Sequence, residues 1–399
     1  MTKGFLPYGR QTIEEDDIAA VAAVLRSDFL TTGPTVERFE TALAERVDAR
    51  HAVTCANGTA ALFMAARALK LGTGSKVVVP AITFLATASA PHLAGSEIVF
   101  ADVDPMSGLM RPSDLEDAIH RAGGADAVFN VHLTGQCGEV EEISAIARSR
   151  GLKIVDDACH AIGSEYRTDE GRHRIGSNAH CDLTVFSFHA VKTVTMGEGG
   201  AVTTNDDGLA HDLRLARNHG MTRSADEFVR AADAFAPDGT VNPWYYELIA
   251  PQFNFRVTDI QCALGLSQIA KLDRFADRRR KLAAAYDKLL APLAPRIVPV
   301  ARNAECRPAW HLYVVLIDFA AFGKSRAAVM HELAERGIGT QVHYFPVNRQ
   351  PYYAARYGGA PLPGAERYYA RALSLPLFPA MTEDDVGRVG EALRDVLCP

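Results

Sequence analysis

The chain lacks the features that mark several large classes of protein. It has no apolar run long enough to span a bilayer, and its first residues, MTKGFLPYGRQ, lack the apolar core and cleavage site of a secretion signal. Its formal net charge is only -6 over 399 residues, with no block of like charges. Neither nucleic acid nor a membrane surface is therefore an expected partner. We expect a globular cytoplasmic protein.

Signals for metal binding and for disulfides are also missing. The seven cysteines are scattered and form no CxxC pair, and no HExxH occurs among the 13 histidines. The neighbours His180 and Cys181 have no second cluster at ligand spacing. We therefore expect reduced thiols and no bound metal.

Two common nucleotide-binding motifs are absent. No GxGxxG follows a predicted strand. The end of a P-loop is matched by Gly323, Lys324 and Ser325, but the position five residues before Gly323, where a P-loop needs glycine, is Asp318. Rossmann and P-loop folds are excluded on these grounds.

Apolar, β-branched runs alternate with helical patterns over the first two thirds of the chain. Such runs, separated by helices, are typical of a parallel sheet that is covered on both faces. The expected fold class is α/β, with a large domain over residues 1–255 built on a mostly parallel, doubly wound sheet and a small α/β domain over 256–399. A capping box at Thr12 and Glu15 predicts the first helix. A single long helix is predicted over 257–290, and a late strand over 340–344.

Three segments carry residues suited to chemistry at the ends of these strands. The first is Asn57, Gly58, Thr59 and Ala60, which opens a predicted helix after a strand. The free N–H groups of a helix N-terminus and a threonine hydroxyl can bind phosphate. An ordinary helix cap explains the same residues equally well.

The second segment ends a buried strand in two carboxylates, Asp156 and Asp157. Ligands bind at the carboxyl ends of parallel strands, and a carboxylate there can keep a ring nitrogen protonated. A capping role for the next helix is the alternative.

The third segment contains Lys192, which follows a buried strand and precedes a Gly-rich turn. A lysine that is partly removed from water has a lowered pKa and can form a Schiff base. Most single lysines lie on the surface, but this one accompanies a phosphate-binding candidate, a carboxylate and Ser187, a second phosphate-binding candidate.

The order of these segments resembles that of the DegT-type nucleotide-sugar aminotransferases, which are fold-type I enzymes dependent on pyridoxal 5'-phosphate. The resemblance spans essentially the whole chain and is carried by NGTAAL, AITFLATA, VDDACHAIGSEY, FSFHAVKTVTMGEGGAVTTND, ARNHGM and FNFRVTDIQCALGLSQIAKLDRF. It implies a large domain that binds the cofactor and a small C-terminal domain.

The resemblance implies roles for individual residues. Lys192 corresponds to the Schiff-base lysine and Asp157 to the partner of the pyridine nitrogen, and both are expected to be catalytic. The other positions expected to bind the cofactor are Gly58, Thr59, Ala60, Phe84, His160, Ser187 and Asn254. Asn254 corresponds to a residue that the family supplies from the neighbouring subunit, so a homodimer with shared active sites is expected. Residues expected to bind substrate are Tyr8, Asp28, Phe29, Leu30, Thr31, His343, Tyr344, Phe345 and Pro346.

The resemblance also implies a reaction. SFHAVK, RNHGM, NPWYYE, ALGLSQ, WHLY and RGIGTQVHYFPV are most similar to members that aminate a UDP-linked 4-keto-6-deoxy-N-acetylhexosamine for pseudaminic acid synthesis. The expected amino donor is L-glutamate, with pyridoxamine phosphate as the intermediate cofactor form. The nearest alternative is an aminotransferase acting on a GDP- or dTDP-linked keto sugar. A sugar dehydratase of the same fold would carry histidine in place of Lys192, and a regulator or a structural protein would not need the complete set of residues.

Overall fold

The computed structural model describes residues 4–398, which form 15 strands and 14 α-helices over this range. The strands are β1 (His51–Cys55), β2 (Lys76–Pro80), β3 (Glu97–Ala101), β4 (Ala127–Val131), β5 (Lys153–Asp157), β6 (Glu165–Thr168), β7 (Gly171–Arg174), β8 (Leu183–Ser187), β9 (Gly200–Thr204), β10 (Met221–Thr222), β11 (Glu247–Leu248), β12 (Ile297–Pro299), β13 (Cys306–Arg307), β14 (Tyr313–Ile317) and β15 (Ala372–Leu375). The helices are α1 (Glu15–Leu25), α2 (Pro34–Val47), α3 (Gly58–Ala68), α4 (Ala86–Leu93), α5 (Pro112–Ala122), α6 (Val140–Ser149), α7 (Asp207–Arg217), α8 (Ala231–Ala234), α9 (Asp259–Ile269), α10 (Leu272–Leu290), α11 (Arg326–Glu335), α12 (Pro351–Tyr357), α13 (Pro363–Arg371) and α14 (Glu383–Leu397).

The main sheet has seven strands in the order β1-β9-β8-β5-β4-β2-β3. The pairs from β8 to β3 run parallel, whereas β9 is antiparallel to both β1 and β8. Strands β2, β4, β5 and β8 are buried along nearly their whole length because helices cover both faces of a parallel sheet. The predicted fold class is confirmed.

A smaller three-stranded antiparallel sheet, β12-β14-β15, lies in the C-terminal part of the chain. Its strands pack with α10, α11 and α14 in one apolar cluster that also includes Ala81, Val131 and Leu133 from the main sheet region. The two parts therefore share a continuous core. The division of the chain at residue 255 stays a prediction.

The N-terminal segment pairs with the C-terminal part. The Leu6 amide donates to the Gly337 carbonyl, the Gly339 amide to the Leu6 carbonyl, and the Leu377 amide to the Tyr8 carbonyl. These bonds attach the segment to residues that follow α11 and β15, and its assignment to the large domain stays a prediction.

Three predicted elements were wrong in detail. The helix over 257–290 is two helices, α9 and α10, which meet at Ala270 and Lys271. The Lys271 ammonium binds Asp16 and Asp17 of α1 at 2.6 and 2.9 Å. Residues 340–344 form no strand, since only Gln341 pairs with a neighbour, Ser374. Helix α1 is capped by Glu14 and Asp17 instead of the predicted box.

The described residues show neither a membrane-crossing helix nor a metal cluster. None of their helices combines the length and apolar character needed to cross a bilayer. Residues 4–398 also contain no group of three or more potential ligands arranged to hold a metal ion. All seven cysteines are free.

Candidate active site

A cavity of about 1040 Å³ opens at the carboxyl ends of β5 and β8. It lies between the main sheet and the segment that leads into α12. Twelve residues predicted from the sequence line it: Tyr8, Gly58, Thr59, Ala60, Phe84, Asp157, His160, Ser187, Lys192, His343, Tyr344 and Phe345. Residues from six separate stretches of sequence thus converge on one space.

The start of α3 forms one end of the cavity. The Asn57 side chain caps the helix by accepting from the Ala60 amide at 2.9 Å, which leaves the earlier amides of this turn to face the cavity. Gly58 lies so close to Ser187 that a Cβ would approach the Ser187 Oγ to 3.2 Å. The result is a small hollow lined by helix amides and a serine hydroxyl, which suits a phosphate group.

Asp157 is 6% exposed at the end of β5. The Thr87 hydroxyl donates to its Oδ2 at 2.7 Å, and the Cys159 amide donates to its Oδ1 at 3.2 Å. Thr83 in turn lies 2.7 Å from the Thr87 hydroxyl. Because these bonds fix the carboxylate, it can hold a cationic ring nitrogen in a set position.

His160 is held as a neutral imidazole. Its Nδ1 accepts from the Thr134 amide at 3.3 Å, so the ring proton lies on Nε2, which is 3.1 Å from the Tyr344 hydroxyl. Burial, followed by the nearby charge of Lys192, places the pKa of His160 well below its usual value. His160 therefore offers an N–H donor without a charge.

Lys192 lies in the loop after β8, half-buried at the cavity wall. Burial lowers its pKa below the ordinary lysine value, and the carboxylate of Asp157 offsets part of this effect. A lysine in this state has a larger fraction of nucleophilic, neutral amine.

His343 and Tyr344 form the opposite wall. The His343 Nδ1 lies 2.7 Å from the Ser374 hydroxyl, and its ring packs against Tyr8 with centroids 5.5 Å apart. Burial, with the charge of Lys192 second, lowers the pKa of His343 to about 3. Phe84 faces Tyr344 with ring centroids 6.0 Å apart and is 53% exposed, so its ring is available to stack on a ligand.

Six predicted residues do not line the cavity. Asp28, Phe29, Leu30 and Thr31 are exposed near the start of α9, where Leu30 accepts from the Asp259 amide at 3.0 Å. Asn254 is exposed and forms a bridge with Asn218. Pro346 is buried behind the cavity wall.

Sequence reasoning missed two residues with clear structural roles. Thr87, which orients Asp157, follows Thr83 by four residues, and this helical spacing in AITFLATA was the available signal. His311, which is 5% exposed and lines the cavity, stands in the WHLY segment and had no predicted role.

The residues present fit pyridoxal phosphate. The hollow at Gly58 matches the phosphate, the fixed Asp157 carboxylate matches the pyridine nitrogen, the neutral N–H of His160 matches the phenolic oxygen, and the Lys192 amine matches the aldehyde carbon. A fold of this type with such a site is that of a pyridoxal-phosphate-dependent aminotransferase.

Comparisons with known proteins identify the family. The model of the DegT/DnrJ/EryC1/StrS aminotransferase family matches residues 11–394. The spore coat polysaccharide biosynthesis protein SpsC of Bacillus subtilis (strain 168) is 38% identical over 396 residues, which cover 98% of this chain and 97% of that protein. The chain belongs to the DegT/DnrJ/EryC1/StrS aminotransferase family and is a pyridoxal-phosphate-dependent sugar aminotransferase.

Solved structures agree. Helicobacter pylori PseC, an aminotransferase of pseudoaminic acid biosynthesis, superposes with a TM-score of 0.88 at 29% identity, covering 98% of this chain and 99% of that one. The putative sugar aminotransferase Spr1654 of Streptococcus pneumoniae, in its PLP form, has a TM-score of 0.84 at 26% identity, covering 98% of each chain. Its PMP form is equally similar, with a TM-score of 0.84.

Proposed function

We propose that this aminotransferase moves an amino group from L-glutamate to the C4 keto group of a UDP-linked 4-keto-6-deoxy-N-acetylhexosamine. The product would be a 4-amino sugar for pseudaminic acid, a bacterial surface glycan component. The observation that carries the chemistry is the convergence of Lys192, Asp157 and His160 on one cavity. The similarity to PseC along almost the full length of both chains supports the choice of sugar.

The residues that would hold the cofactor are those that line this part of the cavity. Gly58, Thr59, Ala60 and Ser187 would bind its phosphate, and Phe84 would stack on its ring. Asp157 would hold the pyridine nitrogen in its protonated form. When bound, pyridoxal phosphate supplies the electron sink that allows an amino group to leave one carbon and join another.

Lys192 supplies the proton transfers. Because burial lowers its pKa, its amine can take the proton from Cα of the amino donor and deliver a proton to C4 of the sugar. Its position beside Asp157 and Cys159, which partly restore its basicity, keeps the ammonium form accessible for the second step. His160 would donate a hydrogen bond from its Nε2–H to the phenolic oxygen of the cofactor without adding a positive charge.

We infer that the active enzyme is a homodimer with shared sites. Asn254 and residues 28–31 are exposed and lie outside the cavity of their own chain. They are therefore available to complete the cavity of a second copy, as the resemblance implies. Phe29 and Phe253 are 53% and 60% exposed on this part of the molecule, and burial of such rings favours association. The cytoplasmic location stays a prediction.

One observation favours the second candidate, amination of a GDP- or dTDP-linked keto sugar. SpsC is more similar to this chain than PseC, at 38% against 29% identity, and its description names a spore coat polysaccharide where that of PseC names pseudoaminic acid. The nucleotide is recognised by a few polar groups whose small displacements change specificity.

The deciding experiment follows the absorbance of the purified holoprotein. L-glutamate should bleach the yellow colour, and a panel of UDP-, dTDP- and GDP-linked 4-keto-6-deoxy sugars is then added. Return of the colour with only the UDP sugar supports the proposal. Return with another sugar selects the second candidate, and a protein that cannot be loaded with pyridoxal phosphate would contradict the whole assignment.

A further inference from the structure

The charge of the cavity wall does not match what an amino acid substrate requires. Every amino donor carries an α-carboxylate, and proteins commonly bind such groups with arginine. Among residues 4–398, the lining of this cavity includes no arginine, and its one lysine is Lys192, which is needed for proton transfer. The part of the wall that this chain supplies must therefore bind the carboxylate by other means.

The wall contains instead a cluster of buried imidazoles, His160, His311 and His343. The rings of His160 and His311 lie 4.5 Å apart, and those of His160 and His343 lie 6.5 Å apart. Burial places all three pKa values below the ordinary histidine range, with the charge of Lys192 adding to the effect. Each ring is therefore neutral and carries a single N–H.

His311 is the member of this cluster whose polar atoms are unexplained. Its Nδ1 is buried and has no hydrogen-bond partner within the described part of the chain. A buried N–H without an acceptor is rarer than a buried lone pair without a donor, so the ring proton belongs on Nε2. Because His311 lines the cavity, Nε2 is the nitrogen that a ligand can reach.

The backbone holds His311 in a fixed place. The guanidinium of Arg279, which is 1% exposed, donates to the carbonyls of Trp310, His311 and Leu377 at 3.3, 3.1 and 2.9 Å. Gly135 lies beneath, where a Cβ would come within 2.8 Å of the His160 carbonyl and 3.1 Å of the His311 amide. A donor fixed in this way loses little entropy on binding a ligand.

We infer that His311 binds substrate through a hydrogen bond from its Nε2–H. The acceptor is the α-carboxylate of the amino donor in one half-reaction and an oxygen of the keto sugar in the other. The same cavity must hold an anionic amino acid in one half-reaction and an uncharged sugar ring in the other. A buried arginine would lose its counter-ion each time the sugar replaced the amino acid, which is costly. A neutral N–H donor serves both ligands. This inference rests on the proposed function for the nature of the two substrates.

The test separates hydrogen bonding from packing. His311→Phe keeps a flat ring but removes the donor, whereas His311→Gln keeps an N–H near the position of Nε2. The matched control is His331→Gln, since the His331 side chain is 78% exposed on α11. The probe is 2-methyl-L-glutamate, which has no proton on Cα, binds without turnover and reports its affinity through the absorbance of the holoenzyme.

We expect His311→Phe to weaken binding of this probe by about 10- to 100-fold, because a hydrogen bond to a charged group is lost. The apparent affinity for the keto sugar should fall by only about 2- to 10-fold, because that bond is to an uncharged oxygen. His311→Gln should retain most of the affinity for both, and His331→Gln should equal the parent enzyme.

Unchanged binding of the probe to His311→Phe would overturn the inference, and so would equal losses in the Phe and Gln variants. Failure of the proposed sugar is distinguishable from either result. In that case the parent enzyme binds 2-methyl-L-glutamate and is bleached by L-glutamate, but no UDP-linked keto sugar restores the colour.

Discussion

Replacing Thr87 by valine tests how the carboxylate of Asp157 is held. Valine has nearly the shape of threonine but no hydroxyl, so the change removes the 2.7 Å bond to Asp157 Oδ2 and leaves the α4 backbone in place. Thr87 is fully buried, so water cannot take over the lost role. Only the Cys159 amide, at 3.2 Å, then remains on this carboxylate.

The expected cost follows from these contacts. A hydrogen bond to a charged group contributes about 1.5–3 kcal/mol. The Thr83 hydroxyl also loses its acceptor, which costs about 1 kcal/mol or more of stability. The added methyl group offsets less than about 1 kcal/mol of this loss. We expect Thr87→Val to lower the free energy of unfolding by about 2–3 kcal/mol, and a looser carboxylate to weaken cofactor binding by about tenfold or more.

Chemical denaturation of the cofactor-free protein and titration with pyridoxal phosphate measure the two effects. Thr87→Ser is the matched control because it keeps the hydroxyl, and it should recover most of the affinity for the cofactor. Equal affinity of the Val and Ser variants for pyridoxal phosphate would refute the assignment of Thr87 as the residue that orients Asp157.

Three further outcomes are expected. Lys192→Ala should abolish turnover while still binding added cofactor by absorbance titration; normal turnover would exclude Lys192 as the catalytic amine. Gly58→Ala should weaken phosphate and cofactor binding by about tenfold, since its Cβ would approach the Ser187 Cβ to 3.0 Å; unchanged cofactor affinity would place the phosphate elsewhere. Acidification should destabilise the protein because the pKa of His343 is about 3 when folded and 6.5 when unfolded. Between these two pH values only the unfolded chain binds the extra proton, so this group lowers the free energy of unfolding by about 1.4 kcal/mol for each pH unit of acidification. A denaturation series in which His343→Gln shows the same dependence of stability on pH as the parent would contradict this.

The main sheet could be predicted from sequence because its strands are apolar throughout and bounded by helices. The runs at residues 127–131 and 183–186 follow that pattern and form β4 and β8. The break at Lys271 could not be predicted in this way, because the local sequence continues a helical pattern. At the break, the Lys271 ammonium pairs with Asp16 and Asp17, which are distant in sequence.

Within the site, the residues that could be predicted are those whose type alone suggests chemistry, such as Lys192 and Asp157. Thr87 and His311 were missed, because their importance arises from what they contact in the folded chain. Asn254 and residues 28–31 raise a different difficulty. One chain does not bring them to the cavity, so a description of one chain leaves their predicted roles untested.

The attachment of the N-terminal segment has a consequence for how the protein is made. Leu6 pairs with Ile338, and Tyr8, which lines the cavity, accepts from the amide of Leu377. A ribosome releases the first residues long before it has made these partners, so the nascent chain can form its main sheet while one wall of the catalytic cavity is still absent. The catalytic cavity is therefore completed only after the residues around Ile338 and Leu377 have been made, and a bulky group attached ahead of Leu6 would hinder this step.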